Sequence, residues 1–184
     1  MVSVSNVETL KVLAICGSLH TRSANLVLLK TAAALTPPGV DCVLFDGLRD
    51  LPHFNPDIEA SGVPESVTKW REALAASDAV LIASPEYGFS LPGVLKNAID
   101  WSIGSGELEQ KVVAITAAVD GPERGRRGLQ ALRDTLSAVR ATIVGGEPIA
   151  KGPGLESQVA ALVRGLVEAA SHPSRRDTRA DDFM

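Results

Sequence analysis

Cysteine, histidine and aromatic side chains are scarce in this chain of 184 residues: two Cys, three His, and 4% Phe, Trp and Tyr together. Cys16 and Cys42 cannot build a disulfide framework or a thiolate zinc site. His20, His53 and His172 lie far apart and match no metal-ligand spacing, so no metal is expected. Long basic runs are also missing. Lys and Arg number 18 against 22 Asp and Glu, a formal net charge of -4. Nothing resembles the basic stripe that binds a phosphate backbone, which argues against a nucleic-acid partner. No apolar run approaches the roughly 20 residues that span a bilayer, so no membrane partner is expected either. Met1 to Thr9 is polar and lacks the charged start and apolar stretch of a signal peptide. A cytoplasmic location is expected.

What is present is enough apolar material for a packed core: 45% hydrophobic residues against 22% charged, which excludes a disordered chain. Five short apolar runs read as strands: Leu10–Cys16, Val40–Phe45, Ala79–Ala83, Lys111–Thr116 and Ala141–Val144. The third is nearly continuous and so buried on both faces; the second is less apolar and belongs near an edge. Five stretches with helical spacing alternate with them: Ser23–Leu35, Pro64–Ala76, Pro92–Ile103, Arg126–Val139 and Leu155–Ala170. Strict alternation predicts parallel strands with crossover helices on both sheet faces. Five strands fit the flavodoxin-like three-layer sandwich, order 2-1-3-4-5, better than the six-stranded dinucleotide fold. The tail Ser171–Met184 is polar and is expected to add little to the core.

In such a sheet, ligands bind beyond the C-terminal strand ends, at the switch point. The first loop there, Gly17–Asn25, offers short hydrogen-bonding side chains and the free N–H groups of a helix start. A phosphate is its natural guest, and Ser23 or Asn25 also serves as a helix cap. The same residues carry a rival pattern. Cys16 and Arg22, with five residues between them and Ser23 following, resemble the C-x5-R-[ST] loop of low-molecular-weight tyrosine phosphatases. That chemistry needs a carboxylic acid to protonate the leaving group. In that family an Asp-Pro dipeptide supplies it, and this chain has none.

The second loop is longer and more specific. Together, Gly17-Ser18-Leu19 with Ser23 and Asn25, and Pro85-Glu86-Tyr87 running through Ser90, Pro92-Gly93 and Leu95-Lys96-Asn97-Ala98-Ile99-Asp100-Trp101, resemble the NAD(P)H-dependent FMN reductases. This group of the flavodoxin superfamily includes quinone, chromate and azo-dye reductases. The resemblance covers roughly residues 10–145. It implies that Ser18, Ser23, Asn25 and the amide of Leu26 contact the FMN phosphate. It places backbone groups of Pro85, Glu86, Tyr87 and Gly88 along the flavin's polar edge. His20 stands where the family commonly has Arg, and Arg22, two positions on, supplies charge instead. Gly88 stands where the family commonly has Asn, which keeps close backbone approach and loses a side-chain donor. A third flavin contact is expected from the loop Ala117–Gly121. The run Glu123–Arg127 is either a solvated face or a contact for the phosphates of a nicotinamide cofactor.

The resemblance therefore implies one flavin-binding domain over residues 1–170, with FMN as cofactor and NADPH or NADH as co-substrate. Hydride would pass through FMN to quinones or other small acceptors by a ping-pong route. The chemistry sits on the flavin, so no catalytic side chain is required. A homodimer or homotetramer is implied, with the third helix as contact. An FMN electron carrier without nicotinamide activity, and the phosphatase, are the alternatives.

Overall fold

A computed structural model describes residues 9–121 and 123–172. The apolar runs form strands β1 Leu10–Cys16, β2 Val40–Phe45, β3 Ala79–Ala83, β4 Val112–Val119 and β5 Thr142–Ala150. They pair in parallel in the expected order, β2-β1-β3-β4-β5, with β2 at one edge. The helices are α1 Ala24–Ala34, α2 Pro56–Ser61, α3 Glu65–Ala75, α4 Gly93–Ile103, α5 Arg126–Ala138 and α6 Leu155–Ser171.

Successive strand residues face opposite sides of a sheet, and here they feed two separate cores. Leu13, Ile15, Val80, Ile82 and Val113 pack with Trp70, Leu95, Trp101 and Leu132 from α3, α4 and α5. Val12, Ala14, Ala79, Leu81 and Ala114 pack with Leu28, Leu29, Val159 and Val163 from α1 and α6. Small strand residues on the second face let α1 and α6 lie close; large aromatics fill the first. Trp70, expected in the core, is buried, and its indole N–H donates to the Ala98 carbonyl at 2.8 Å and the Ser102 hydroxyl at 2.9 Å.

Two strand ends and one helix differ from the sequence pattern. β5 does not stop at Gly145-Gly146 but runs through them to Ala150. Both glycines adopt positive φ, 67° and 108°, where the pairing register shifts between Ile115 and Ala117. They form an edge-strand bulge rather than an end. β4 consequently extends to Val119, pairing with Ala150, so most of the expected Ala117–Gly121 loop is strand. The helix α2 lacked any apolar face to announce it, having no buried residue. Its signal was local: Asn55 as N-cap accepting from the Asp57 N–H at 2.8 Å, then Pro56 at the first position. Most of the tail, residues 173–184, lies outside the described residues; Ser171 is the last residue of α6. Among the described residues no helix is long and apolar enough to cross a membrane.

Candidate active site

The C-terminal ends of β1 and β3 lie side by side, with Cys16 opposite Ala83. β1 continues one way to β2 and β3 continues the other way to β4, so this is the switch point of the sheet. The Gly17 N–H donates to the Ala83 carbonyl at 2.9 Å. A Cβ at Gly17 would stand 2.7 Å from Ser84 Oγ and 3.2 Å from Leu95 Cδ2. Glycine here is what lets the first loop lie against the second.

The first loop is shaped by short-range bonds. The His20 N–H donates to Ser18 Oγ at 3.2 Å and the Ser23 N–H to the His20 carbonyl at 3.0 Å. Ser23 is the N-cap of α1, its Oγ accepting from the Asn25 N–H at 3.3 Å. The N–H groups of Ala24 and Leu26 in that first turn have no acceptor among the described residues, which leaves them to an anion. His20, Thr21 and Arg22 are exposed and Ser18 is half-buried, so the cationic and hydroxyl groups flank the same helix start.

Asn25 has a further job that sequence reasoning missed. Its side-chain oxygen accepts from the Ala118 N–H at 2.9 Å, and the residue is 4% exposed. It therefore ties the start of α1 to β4, two strands away, and its carbonyl end is not available to a ligand. Cys16 is also buried, with Sγ 4.0 Å from Ser23 Oγ. A depression of about 220 Å³ opens beside the first loop on its β2 side, lined by Cys16, Ser18, His20 and Thr21 together with Asp46 and Arg49. Arg22 is outside that lining, so thiol and guanidinium do not converge on one pocket.

The second loop is held from a distance. Tyr87 and Ser90 exchange two backbone hydrogen bonds, each 3.0 Å. Between them Gly88 and Phe89 both sit at positive φ, 57° and 63°, the signature of a type I′ hairpin turn. Pro85 has no N–H, and that of Tyr87 is taken by Ser90. Glu86 and Gly88 are thus the members of the predicted set with backbone donors left. Tyr87 does not pack into the core; it is 56% exposed. The Glu86 side chain turns away from the loop and accepts from the Gly128 N–H at 2.9 Å, capping the first turn of α5. A Cβ on Gly128 would come within 2.9 Å of Glu86 Cβ. The contact is a close one and fixes the loop against α5.

The rest of the long motif supports rather than lines the site. Asn97 accepts from the Phe54 N–H at 2.7 Å and donates to the Pro52 carbonyl at 2.9 Å. The Trp101 indole N–H reaches the same Pro52 carbonyl at 2.8 Å. Lys96 and Asp100 pair at 2.6 Å on the helix surface. Beyond β4, Lys151 bonds Asp120 at 2.8 Å and lowers its carboxyl below the ordinary range, chiefly through that hydrogen bond.

Fold and site define a doubly wound α/β protein whose switch point brings a helix start with unsatisfied N–H groups against an aromatic-tipped loop. Residues 10–152 match the family of NADPH-dependent FMN reductases, and the chain belongs to that family. It is 44% identical over 121 residues to an NAD(P)H-dependent FMN reductase of Pseudomonas aeruginosa, a match covering 66% of this chain and 64% of that protein, less than two thirds of its length. It is 31% identical over 140 residues to a quinone reductase of Escherichia coli, covering 74% of each. Among solved structures it resembles the flavoenzyme NAD(P)H:(acceptor) oxidoreductase of Paracoccus denitrificans, with a TM-score of 0.77 and 27% identity over 88% of this chain and 97% of that one.

Proposed function

We propose that the protein is an FMN-dependent NAD(P)H oxidoreductase that reduces quinones or similar small acceptors. The observation that carries this is the juxtaposition at the switch point: unsatisfied N–H groups at the start of α1 lie one strand away from the 85–90 turn. The residues present fit FMN. Ser18, Ser23, the Leu26 amide, His20 and Arg22 would hold its phosphate, and Asn25 would position the helix start through Ala118. The free N–H groups of Glu86 and Gly88 would face the flavin's polar edge, where they favour the negative charge of the reduced form.

When bound, FMN supplies the two-electron chemistry, taking hydride from NAD(P)H and delivering it to the acceptor. The chain's own part is binding, orientation and electrostatics. Ping-pong kinetics are part of the proposal, because donor and acceptor would use one exposed face in turn. So are residues 1–170 as a single flavin-binding domain, and a homodimer or homotetramer built on α4, whose Ile103 is 57% exposed.

The test is the visible spectrum of the concentrated protein, followed by NADPH and NADH oxidation with a quinone. Flavin bands, FMN release on denaturation and rapid oxidation are expected. A flavin-loaded protein that oxidises neither dinucleotide would be an electron carrier. A protein that stays colourless after incubation with FMN and desalting overturns the proposal.

A further inference from the structure

Three arginines stand at the start of α5, and the structure treats them differently. Arg126 pairs with Glu147 at 3.0 Å. Arg124 lies near enough to Asp120 to influence its carboxyl. Arg127 has no carboxylate partner among the described residues; its guanidinium stands over the Phe89 ring, 4.4 Å from the centroid. Glu86, which lies against the same helix start, has its carboxylate on the Gly128 N–H. A ring face orients a cation without neutralising it.

Phe89 is itself unusual. It is a bulky residue at φ 63° and 66% exposed. Positive φ is strained for such a side chain, and strain of this kind persists chiefly where function uses it. Packing does not explain it, since the ring meets solvent on most of its surface. What the ring does meet is Arg127.

We propose that Arg127, held in place by Phe89, anchors a phosphate of the nicotinamide co-substrate. Arg127 binds the anion, and Phe89 is a positioning residue. The inference rests on the oxidoreductase reading, in which the 85–90 turn borders the reaction site. Quinone acceptors carry no phosphate, so the cation addresses the electron donor. The phosphate has two sources: the pyrophosphate common to NADH and NADPH, or the extra ribose phosphate of NADPH alone.

The experiment is a calorimetric titration of the FMN-loaded protein with NADP+ and, separately, NAD+. Wild type is compared with Arg127→Gln, Arg127→Lys and Phe89→Leu. Arg127→Gln is expected to weaken binding about tenfold, as loss of one charge-assisted contact implies. Arg127→Lys recovers part of this, and Phe89→Leu weakens binding about threefold. Raising salt should weaken wild-type binding and leave Arg127→Gln nearly flat. Loss with both dinucleotides assigns the pyrophosphate; loss with NADP+ alone assigns the ribose phosphate. A merely structural contact would shift the thermal midpoint of these variants and leave both titrations unmoved. Affinities within twofold of wild type, or a wild type that binds neither dinucleotide, overturn the proposal. If the wild type takes up no FMN, the oxidoreductase reading fails by itself. The same titrations on the flavin-free chain then decide the role of Arg127.

Discussion

The two loops at the switch point are built by opposite means. The first, from Ser18 to Ser23, takes its shape chiefly from bonds two and three residues long, His20 to Ser18 and Ser23 to His20. The second, from Ser84 to Pro92, takes its place from partners about 40 positions along the chain: Gly128 for Glu86 and Arg127 for Phe89. A locally built loop keeps its donors when its surroundings change. A loop placed by tertiary contacts moves with the helix that holds it. The switch point therefore combines a locally built helix start with an edge whose position depends on α5.

Substitutions at four places around the two loops and one pH series would sharpen or break this contrast. The largest effect is expected at the seam between the loops. Gly17→Val drives a branched side chain into Ser84 and Leu95, and overpacking of this kind costs about 3 kcal/mol. Urea unfolding should show the loss, together with poor FMN retention. Asn25→Ala comes next. It strips the Ala118 N–H of its acceptor, a loss of about 2 kcal/mol, and hydrogen exchange should quicken at Ala118. An unchanged exchange rate would mean that the first loop needs no link to β4.

Glu86→Ala removes the cap on α5 and should cost about 1 kcal/mol. Glu86→Gln keeps an oxygen acceptor and should recover most of that. If Ala and wild type unfold at the same urea concentration, α5 does not hold the second loop. The fourth change has the opposite sign. Replacing Gly88 and Phe89 by Asn and Gly gives the pair favoured at a type I′ turn. It should stabilise the protein by about 0.5–1 kcal/mol. Reduced dinucleotide affinity in this more stable variant would separate function from strain.

The last effect lies outside both loops and calibrates them. Burial in β2, with a lesser contribution from Asp41, raises the Cys42 thiol from 9.0 to about 11. The raised value means that the folded state favours the neutral thiol. Its stabilisation is complete below pH 9.0 and is lost as pH rises toward 11. Urea midpoints measured across that range should fall in the wild type more than in Cys42→Ala. The same burial should make alkylation of Cys42 slow at pH 8 in the folded protein.

Much of this was legible from residue order. The alternation of Leu10–Cys16, Ala79–Ala83 and their companions with helical stretches determined a parallel sheet, because buried parallel strands read as unbroken apolar runs. The order 2-1-3-4-5 and the switch point followed, and with them the identity of both loops. A cap at Ser23 or Asn25 was also readable, since capping is a contact between near neighbours, and the structure assigns it to Ser23. Gly145 and Gly146 were misleading, because a glycine pair marks a bulge as well as a strand end, and only the partner strand decides which. The helix α2 escaped because six residues without an apolar face leave no periodicity.

Tertiary structure alone decided what the polar side chains at the site touch. Nothing in the sequence says that the Asn25 oxygen faces Ala118 rather than a ligand, that Glu86 caps α5, or that Arg127 rests on Phe89 instead of a carboxylate. Each of these is a contact between residues 38 to 93 positions apart. Hydrophobic pattern and local capping are written within a few residues of themselves, so they survive as signals in one dimension. A hydrogen bond between distant segments has no such period, and it exists only once the sheet has brought its two ends together.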